Sequence, residues 1–372
     1  MKKKVVEFIG RIQDGGAETL VKDYALLLDK NKFDFIILCE DYRPESTVYK
    51  TLKENNVKIV SMYEKSFFFN KVFARMFGKK YVAQLFEKAI KEIKPDIIHV
   101  HLELLEIVYH ARNVLDGIDL YYTCHNPLDT MIGYERPQEE KACRYLIEHN
   151  NMRIIALHEE MAKEINERFN LNNTAVIRNG IDLNRFRNVD KTKEEIREGL
   201  GINSDTYVIG QIGRFAYQKN PEFTLMVFRE LVKKHKDACL LLIGRGNQES
   251  KLRNMIREFG LENKVKLLVS RDDIPELLKA MDVFILPSRF EGLGIVLIEA
   301  QASGLPCVVS ENIPSEAYQS KNITKLNLSD PIDTWVDALL NPVGNIDKYG
   351  DIEEYDMNKE IKELEKIYLK LA

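Results

Sequence analysis

The chain has 372 residues, of which 45% are hydrophobic and 30% charged, with a formal net charge of -4. At ~100–200 residues per domain this length predicts two domains with a cleft between them. The balance excludes disordered and collagen-like classes, and the slight acidity argues against nucleic acid as the main partner.

Lys4–Ile9 and Phe33–Cys39 read as short strands rich in β-branched and aromatic residues, with an apolar helical stripe over Ala17–Leu28 between them. Asp96–His101, Leu120–Thr123, Arg153–Leu157 and Ala175–Ile177 continue the strand series. Turn residues at Asn179-Gly-Ile-Asp182 and the charged run Asp190–Arg197 then interrupt it, which places a domain boundary there.

The alternation restarts with strands Tyr207–Ile212, Ala238–Ile243, Val265–Leu268, Val283–Leu286 and Pro306–Val309. Helices near Pro221–Lys234, Gln248–Phe259, Ile274–Ala280 and Leu293–Ser303 interleave with them. Such alternation predicts α/β domains with parallel, doubly wound sheets. The expected division is 1–187, 188–352 and a terminal amphipathic helix in 353–372 that packs on its own domain or crosses back to the first.

Five cysteines, Cys39, Cys124, Cys143, Cys239 and Cys307, are scattered without a CxxC pair, which suggests neither a disulfide framework nor a zinc cage and fits a reducing cytoplasm. The basic start Met1-Lys-Lys-Lys lacks the apolar stretch of a signal peptide, and no apolar run approaches ~20 residues.

The stretch Pro287-Ser-Arg-Phe-Glu-Gly-Leu-Gly-Ile-Val-Leu-Ile-Glu299 sets Glu291 and Glu299 on either side of a strand-to-helix turn containing Gly292 and Gly294. Unpaired amides and the dipole at a helix start suit a diphosphate, while glutamates beside it suit sugar hydroxyls. Taken alone, a solvated Glu299 and a plain turn would explain this stretch. A second strand end, Gly213-Arg-Phe-Ala-Tyr-Gln-Lys-Asn-Pro221, supplies the cations Arg214 and Lys219 and favours the phosphate reading.

Together, the Glu-x7-Glu stretch, Gly-Arg-Phe…Gln-Lys-Asn and Asn179-Gly-Ile-Asp resemble the retaining glycosyltransferases of family 4, over most of Val176–Ser310 and again near the N-terminus. The resemblance implies a GT-B architecture of two Rossmann-like domains facing each other across a cleft, an acceptor-binding one first and a nucleotide-sugar-binding one second. It implies that Arg214 and Lys219, with Gly213, bind the donor diphosphate, and that amides around Leu293-Gly294-Ile295 take the distal phosphate. Glu291 would contact the transferred sugar and Glu299 the ribose hydroxyls. Asp14-Gly-Gly-Ala-Glu18 matches the family's glycine pair, so the Gly15 and Gly16 backbone would approach donor phosphate or acceptor. His125, in Tyr122-Thr-Cys-His-Asn126, resembles the histidine near the reacting sugar. The nucleobase is expected near Ser270 and Arg271.

The implied reaction moves a hexose-type sugar, with UDP as default carrier, to a hydroxyl of a saccharide or polyprenyl-linked acceptor in cell-surface polysaccharide synthesis. His125, Glu291, Arg214 and Lys219 are the catalytic candidates. No two aspartates stand two apart, so the Asp-x-Asp metal site of the other main glycosyltransferase fold is missing and a metal-independent enzyme without cofactor is expected. His99 and His101 alternate on one strand and read as cleft-lining residues or, less simply, as a metal pair. His158 stands where many relatives carry serine.

Residues Lys65–Lys94 interleave Phe67, Phe68, Phe69, Phe73, Phe77, Tyr81 and Phe86 with Lys71, Arg75, Lys79, Lys80, Lys88, Lys91 and Lys94. Two readings stay open: a helix lying on the inner face of an anionic membrane, and a helix packing its aromatics on the first sheet. Three rivals to the transferase also stand: a nucleotide-sugar 2-epimerase of the same fold, a dinucleotide-binding oxidoreductase suggested by Gly244-Arg-Gly246, and a silent sugar-nucleotide binder. The oxidoreductase fingerprint is incomplete, with Glu249 where its third glycine belongs.

Overall fold

Parallel strands joined by helices build both halves of the chain in the computed structural model, which describes residues 2–64, 67–132, 136–269, 271–344 and 352–371. The chain divides into two compact units, Met1–Asn179 with Asn358–Ala372, and Gly180–Met357.

The first unit holds β1 (Lys3–Ile12), β2 (Phe33–Tyr42), β3 (Lys58–Ser61), β4 (Ile97–His101), β5 (Asp119–Thr123), β6 (Arg153–Ala156) and β7 (Ala175–Val176). They form one parallel sheet in the order β3-β2-β1-β4-β5-β6-β7. The second unit holds β8 (Tyr207–Ile212), β9 (Ala238–Ile243), β10 (Val265–Leu268), β11 (Val283–Leu286), β12 (Cys307–Ser310) and β13 (Ile323–Leu326). Their order is β10-β9-β8-β11-β12-β13, again parallel throughout. In each sheet the winding reverses beside the first strand, at β1/β4 and at β8/β11. Such a switch point leaves a crevice outside the carboxyl ends of the strands, where ligands bind in open α/β sheets.

Central strands are covered on both faces, so all of β4 and all of β11 are buried; β11 is apolar without alternation, and β4 is apolar except for His99 and His101. Phe8 packs on Phe86 in the first core, with ring centres 4.6 Å apart. In the second core Trp335 meets Phe223 edge-on at 5.1 Å.

The basic aromatic segment is two helices, Phe67–Phe77 and Lys79–Ile93, with Gly78 between them at φ 63°. The second helix follows the packing reading, burying Val82, Ala83, Phe86, Ala89 and Ile90 along one stripe. The first leaves Phe68, Phe69, Met76 and Phe77 exposed, at 73, 65, 68 and 58%. No helix among the described residues is long and apolar enough to cross a membrane.

The terminal helix Met357–Tyr368 belongs mainly to the first unit. The Tyr121 hydroxyl donates to the Ile367 carbonyl at 3.1 Å, the Lys3 ammonium to the Tyr368 carbonyl at 2.9 Å, and the Asp29 amide to Glu365 at 2.8 Å.

Candidate functional site

In the second unit, β8 ends at Ile212 and the chain loops through Gly213–Asn220 before helix Pro221–Lys234. Proline at the helix start needs no amide partner there, and Asn220 makes the turn in the left-handed region at φ 53°. The loop rests on the end of β9: the Phe215 amide donates to the Arg245 carbonyl at 2.9 Å, and the Gln248 amide to the Phe215 carbonyl at 3.0 Å. A β-carbon on Gly244 would collide with the Gly213 carbonyl, and one on Gly246 with the Phe215 carbonyl. Gly244-Arg-Gly246 thus has a packing reason of its own, and no dinucleotide is needed to explain it.

The neighbouring strand β11 ends in Pro287–Gly294, and side chains stitch this loop to the first. The Lys219 ammonium lies 2.6 Å from Glu291 Oε1, and the Ser288 hydroxyl donates to the same oxygen at 2.6 Å. Asn220 Nδ2 donates to the Pro287 carbonyl at 3.2 Å, and the Arg289 amide to the Gln218 carbonyl at 2.8 Å. Arg214 is exposed and reaches Gln218 Oε1 at 3.2 Å. Gly294 caps the helix Ile295–Ala302 at φ 82°, in the left-handed region, and no side chain caps its first amides. The helix begins two residues later than the sequence suggests, so Leu293, Gly294 and Ile295 form the turn itself. Glu299 is half-buried on that helix. Arg214, Lys219, Glu291 and the Gly294 turn therefore gather at the carboxyl ends of β8 and β11. Ser288, Gln218 and Asn220 bind them together without having been singled out by sequence.

Arg271 is drawn to Asp273, Nε to Oδ1 at 2.7 Å, and Ser270 lies outside the described residues.

In the first unit, Gly15 caps helix Gly16–Leu27 just after β1. Among the described residues a β-carbon on Gly16 would meet nothing within 4 Å, so none of them requires that glycine. His125 follows β5 and is buried in a network that the sequence pattern does not reveal. His101 Nδ1 pairs with His125 Nε2 at 2.8 Å, and His101 Nε2 with Glu7 Oε2 at 2.5 Å. The Tyr368 hydroxyl donates to Glu7 Oε1 at 2.8 Å. His99 Nδ1 meets that hydroxyl at 2.6 Å, and His99 Nε2 meets Thr123 Oγ1 at 2.7 Å. His99 and His101 are wholly buried between β1, β5 and the terminal helix, which replaces the cleft-lining position expected of them.

Burial alone would raise the Glu7 carboxyl, but the charge and hydrogen bonds of His99 and His101 outweigh it and bring it from 4.5 to about 2. Burial, then His99, lowers His101 from 6.5 to about 4 against the pull of Glu7. Burial, then His101, keeps His125 well below its ordinary value. The ligand atoms of Glu7, His99 and His101 lie within 4.8 Å of one another, so these three could surround an ion. Each is already spent on a hydrogen bond inside the network, and an ion would have to break the Glu7–His101 contact first.

His158 caps helix Glu159–Phe169, its Nδ1 accepting the Met161 amide at 3.2 Å. The imidazole does there what a serine hydroxyl does at a helix start.

Comparison with known proteins bears on what these sites are for. Residues 14–185 match the model of Glycosyltransferase Family 4, and residues 192–332 that of Glycosyl transferases group 1. A protein of Bacillus subtilis (strain 168) named as a glycosyltransferase, EpsF, is 28% identical over 345 residues, covering 91% of this chain and 87% of that one. The Escherichia coli UDP-Gal:alpha-D-GlcNAc-diphosphoundecaprenol alpha-1,3-galactosyltransferase is 30% identical over 273 residues, 68% of this chain and 67% of its own. The crystal structure of Anabaena Alr3699/HepE in complex with UDP and glucose superposes with a TM-score of 0.76 at 18% identity, covering 99% of this chain and all of that one. These matches are to transferases and do not favour the 2-epimerase reading. With both halves matched and both sheets wound in this way, the chain belongs to the family 4 and group 1 glycosyltransferases and has their GT-B fold.

Proposed function

We propose that the chain is a retaining, metal-independent hexosyltransferase that takes its sugar from a UDP-sugar and passes it to a hydroxyl of a saccharide or polyprenyl-linked acceptor. The observation that carries this reading is the meeting of Lys219, Glu291 and Ser288 beside Arg214 and the uncapped helix start at Gly294. When the sugar leaves, negative charge grows on the nucleoside diphosphate. Arg214, Lys219 and the amides of Leu293–Ile295 are preorganised cationic and dipolar partners for it, and they supply the electrostatic stabilisation that such a departure needs. Glu291 then exchanges Lys219 for hydroxyls of the transferred sugar, and Glu299 takes the ribose diol.

Residues 188–352 are the donor half in this reading, and 1–187 the acceptor half with His125 at the reacting sugar. Retention follows from attack of the acceptor hydroxyl on the face that the diphosphate leaves. The UDP carrier is supported by the printed name of the Escherichia coli relative and by the UDP complex of the Anabaena protein. The diphosphoundecaprenol in that relative's name supports a lipid-linked acceptor in surface-polysaccharide synthesis. The exposed aromatic face of helix Phe67–Phe77, with Lys71 and Arg75 in the same helix, fits contact with the inner membrane surface where such an acceptor resides.

The test is turnover of UDP-galactose, UDP-glucose and UDP-N-acetylglucosamine on polyprenyl-diphosphate sugars, with and without EDTA, followed by NMR of the product. An α-linked product whose formation survives EDTA is expected. A β-linked product sinks the retaining assignment, loss of turnover in EDTA sinks metal independence, and preference for another nucleotide sinks UDP.

A further inference from the structure

The buried network of the first unit has a direction. An anionic Glu7 has only acceptor sites, so at 2.5 Å His101 Nε2 must carry the proton between them. A neutral His101 then offers a lone pair at Nδ1, and His125, 2.8 Å away, must donate from Nε2. The remaining nitrogen, His125 Nδ1, is left as an acceptor and has no hydrogen-bond partner among the described residues. The second oxygen of Glu7 is held by the Tyr368 hydroxyl, which accepts in turn from His99 Nδ1, while Thr123 donates to His99 Nε2. Every donor and acceptor along this path is matched in one sense only. A protonated Glu7 would reverse it and put the His125 proton on Nδ1.

We propose that Glu7, His101 and Tyr368 are positioning residues that hold His125 in the Nε2–H tautomer, so that its Nδ1 accepts a hydrogen bond from a hydroxyl of the reacting sugar. The inference rests on the reading of His125 as a group at that sugar. The contacts of Glu7 support the anionic form on which the direction depends: its two oxygens face His101 Nε2 and the Tyr368 hydroxyl, both able to donate. The terminal helix takes part through a single hydroxyl: Tyr368 is wholly buried and supplies one of the two contacts that orient the carboxylate.

Imidazole 15N–1H correlation spectra of the full chain labelled at histidine read the tautomer directly. The expected wild-type signal of His125 is the Nε2–H pattern. In Glu7→Gln it should turn to a mixture or to Nδ1–H, with kcat lowered about tenfold or more and the KM for UDP-sugar nearly unchanged. Tyr368→Phe keeps the carboxylate and removes one of its anchors, so a smaller shift of the same kind is expected even if Glu7→Gln folds poorly. A His125 with its proton on Nδ1 in the wild type overturns the relay, and so does a tautomer indifferent to both substitutions. Full turnover in His125→Gln overturns instead the sugar contact on which the inference rests.

Discussion

Lys219 and Glu291, 72 positions apart in sequence, meet at 2.6 Å with side chains only 15% and 5% exposed. The cation assigned to the donor phosphate is thus already occupied by the carboxylate assigned to the sugar. Each partner spares the other from burial without a counter-charge.

Removing one partner should therefore cost more than removing both. Lys219→Met leaves Glu291 buried with Ser288 as its remaining donor, and a loss of about 3–5 kcal/mol is expected. The double variant Lys219→Met/Glu291→Gln should recover most of it. Trp335 is the only tryptophan and lies in the core of this unit, so urea unfolding followed by its fluorescence checks the comparison. Equal losses in single and double variants would contradict it.

Arg214 is exposed and, among the described residues, makes a single side-chain hydrogen bond, to Gln218 at 3.2 Å, so Arg214→Ala should leave stability within about 0.5 kcal/mol. Its contribution is expected in binding, where a lost charge-assisted hydrogen bond of about 1.5–3 kcal/mol weakens UDP roughly ten- to 150-fold. Calorimetric titration with UDP measures it, and an unchanged Kd would remove Arg214 from the phosphate site.

Two glycines should respond in opposite ways to alanine. Gly244→Ala drives a methyl group into the Gly213 carbonyl at φ 154°, so the loop carrying Arg214 must shift, at a cost of about 1–3 kcal/mol or more and with loss of UDP binding. Gly16→Ala meets nothing within 4 Å among the described residues, so stability should hold while turnover falls if substrate comes close to that backbone. Full turnover in Gly16→Ala would show that nothing does.

Acid should weaken the first unit in two stages. His101 is buried with a value near 4 against 6.5, so the unfolded chain binds more protons in that interval and stability drops as pH falls from 6.5 towards 4. Glu7, near 2 against 4.5, contributes stability that is complete above pH 4.5 and lost as pH falls towards 2. Urea midpoints by circular dichroism between pH 7.5 and 3 should decline throughout, and Glu7→Gln should flatten the lower stage. A midpoint constant from pH 7 to 4.5 would refute the sign for His101.

Phe68→Ser/Phe69→Ser should abolish co-sedimentation with vesicles containing phosphatidylglycerol, while circular dichroism of the protein stays unchanged because both rings are exposed. Wild-type protein that ignores such vesicles would leave the exposed face without a lipid partner.

Much of this was legible beforehand because parallel strands announce themselves as short runs rich in apolar residues: β4, β9 and β11 fall within a residue of their expected bounds. The strands that escaped, β3 and β13, sit at sheet edges with no fully buried residue, so neither carries a hydrophobic pattern. Arg214, Lys219 and Glu291, which the structure brings together, could be singled out because each stands in a short motif at a strand end. Glu7 could not. It is the one carboxylate inside Lys3–Ile12, where a solvent-facing carboxylate is the ordinary expectation, and its partners come from 94 and 361 positions away. Local sequence cannot signal a side chain whose environment is supplied by the other end of the chain.

That last pairing sets an order of events during synthesis. The stretch Gly180–Met357 is continuous and can close on itself as soon as it leaves the ribosome. The first unit must wait for Asn358 onward, and Glu7 for Tyr368, an interval of roughly 20–70 s at about 5–20 residues per second. Until then the nascent chain carries a carboxylate inside an apolar strand without its phenol cap, and an uncovered patch where Leu364 and Tyr368 will lie. The unit made first is finished last, and a chain cut short near residue 357 would carry a complete second unit together with an unfinished first one.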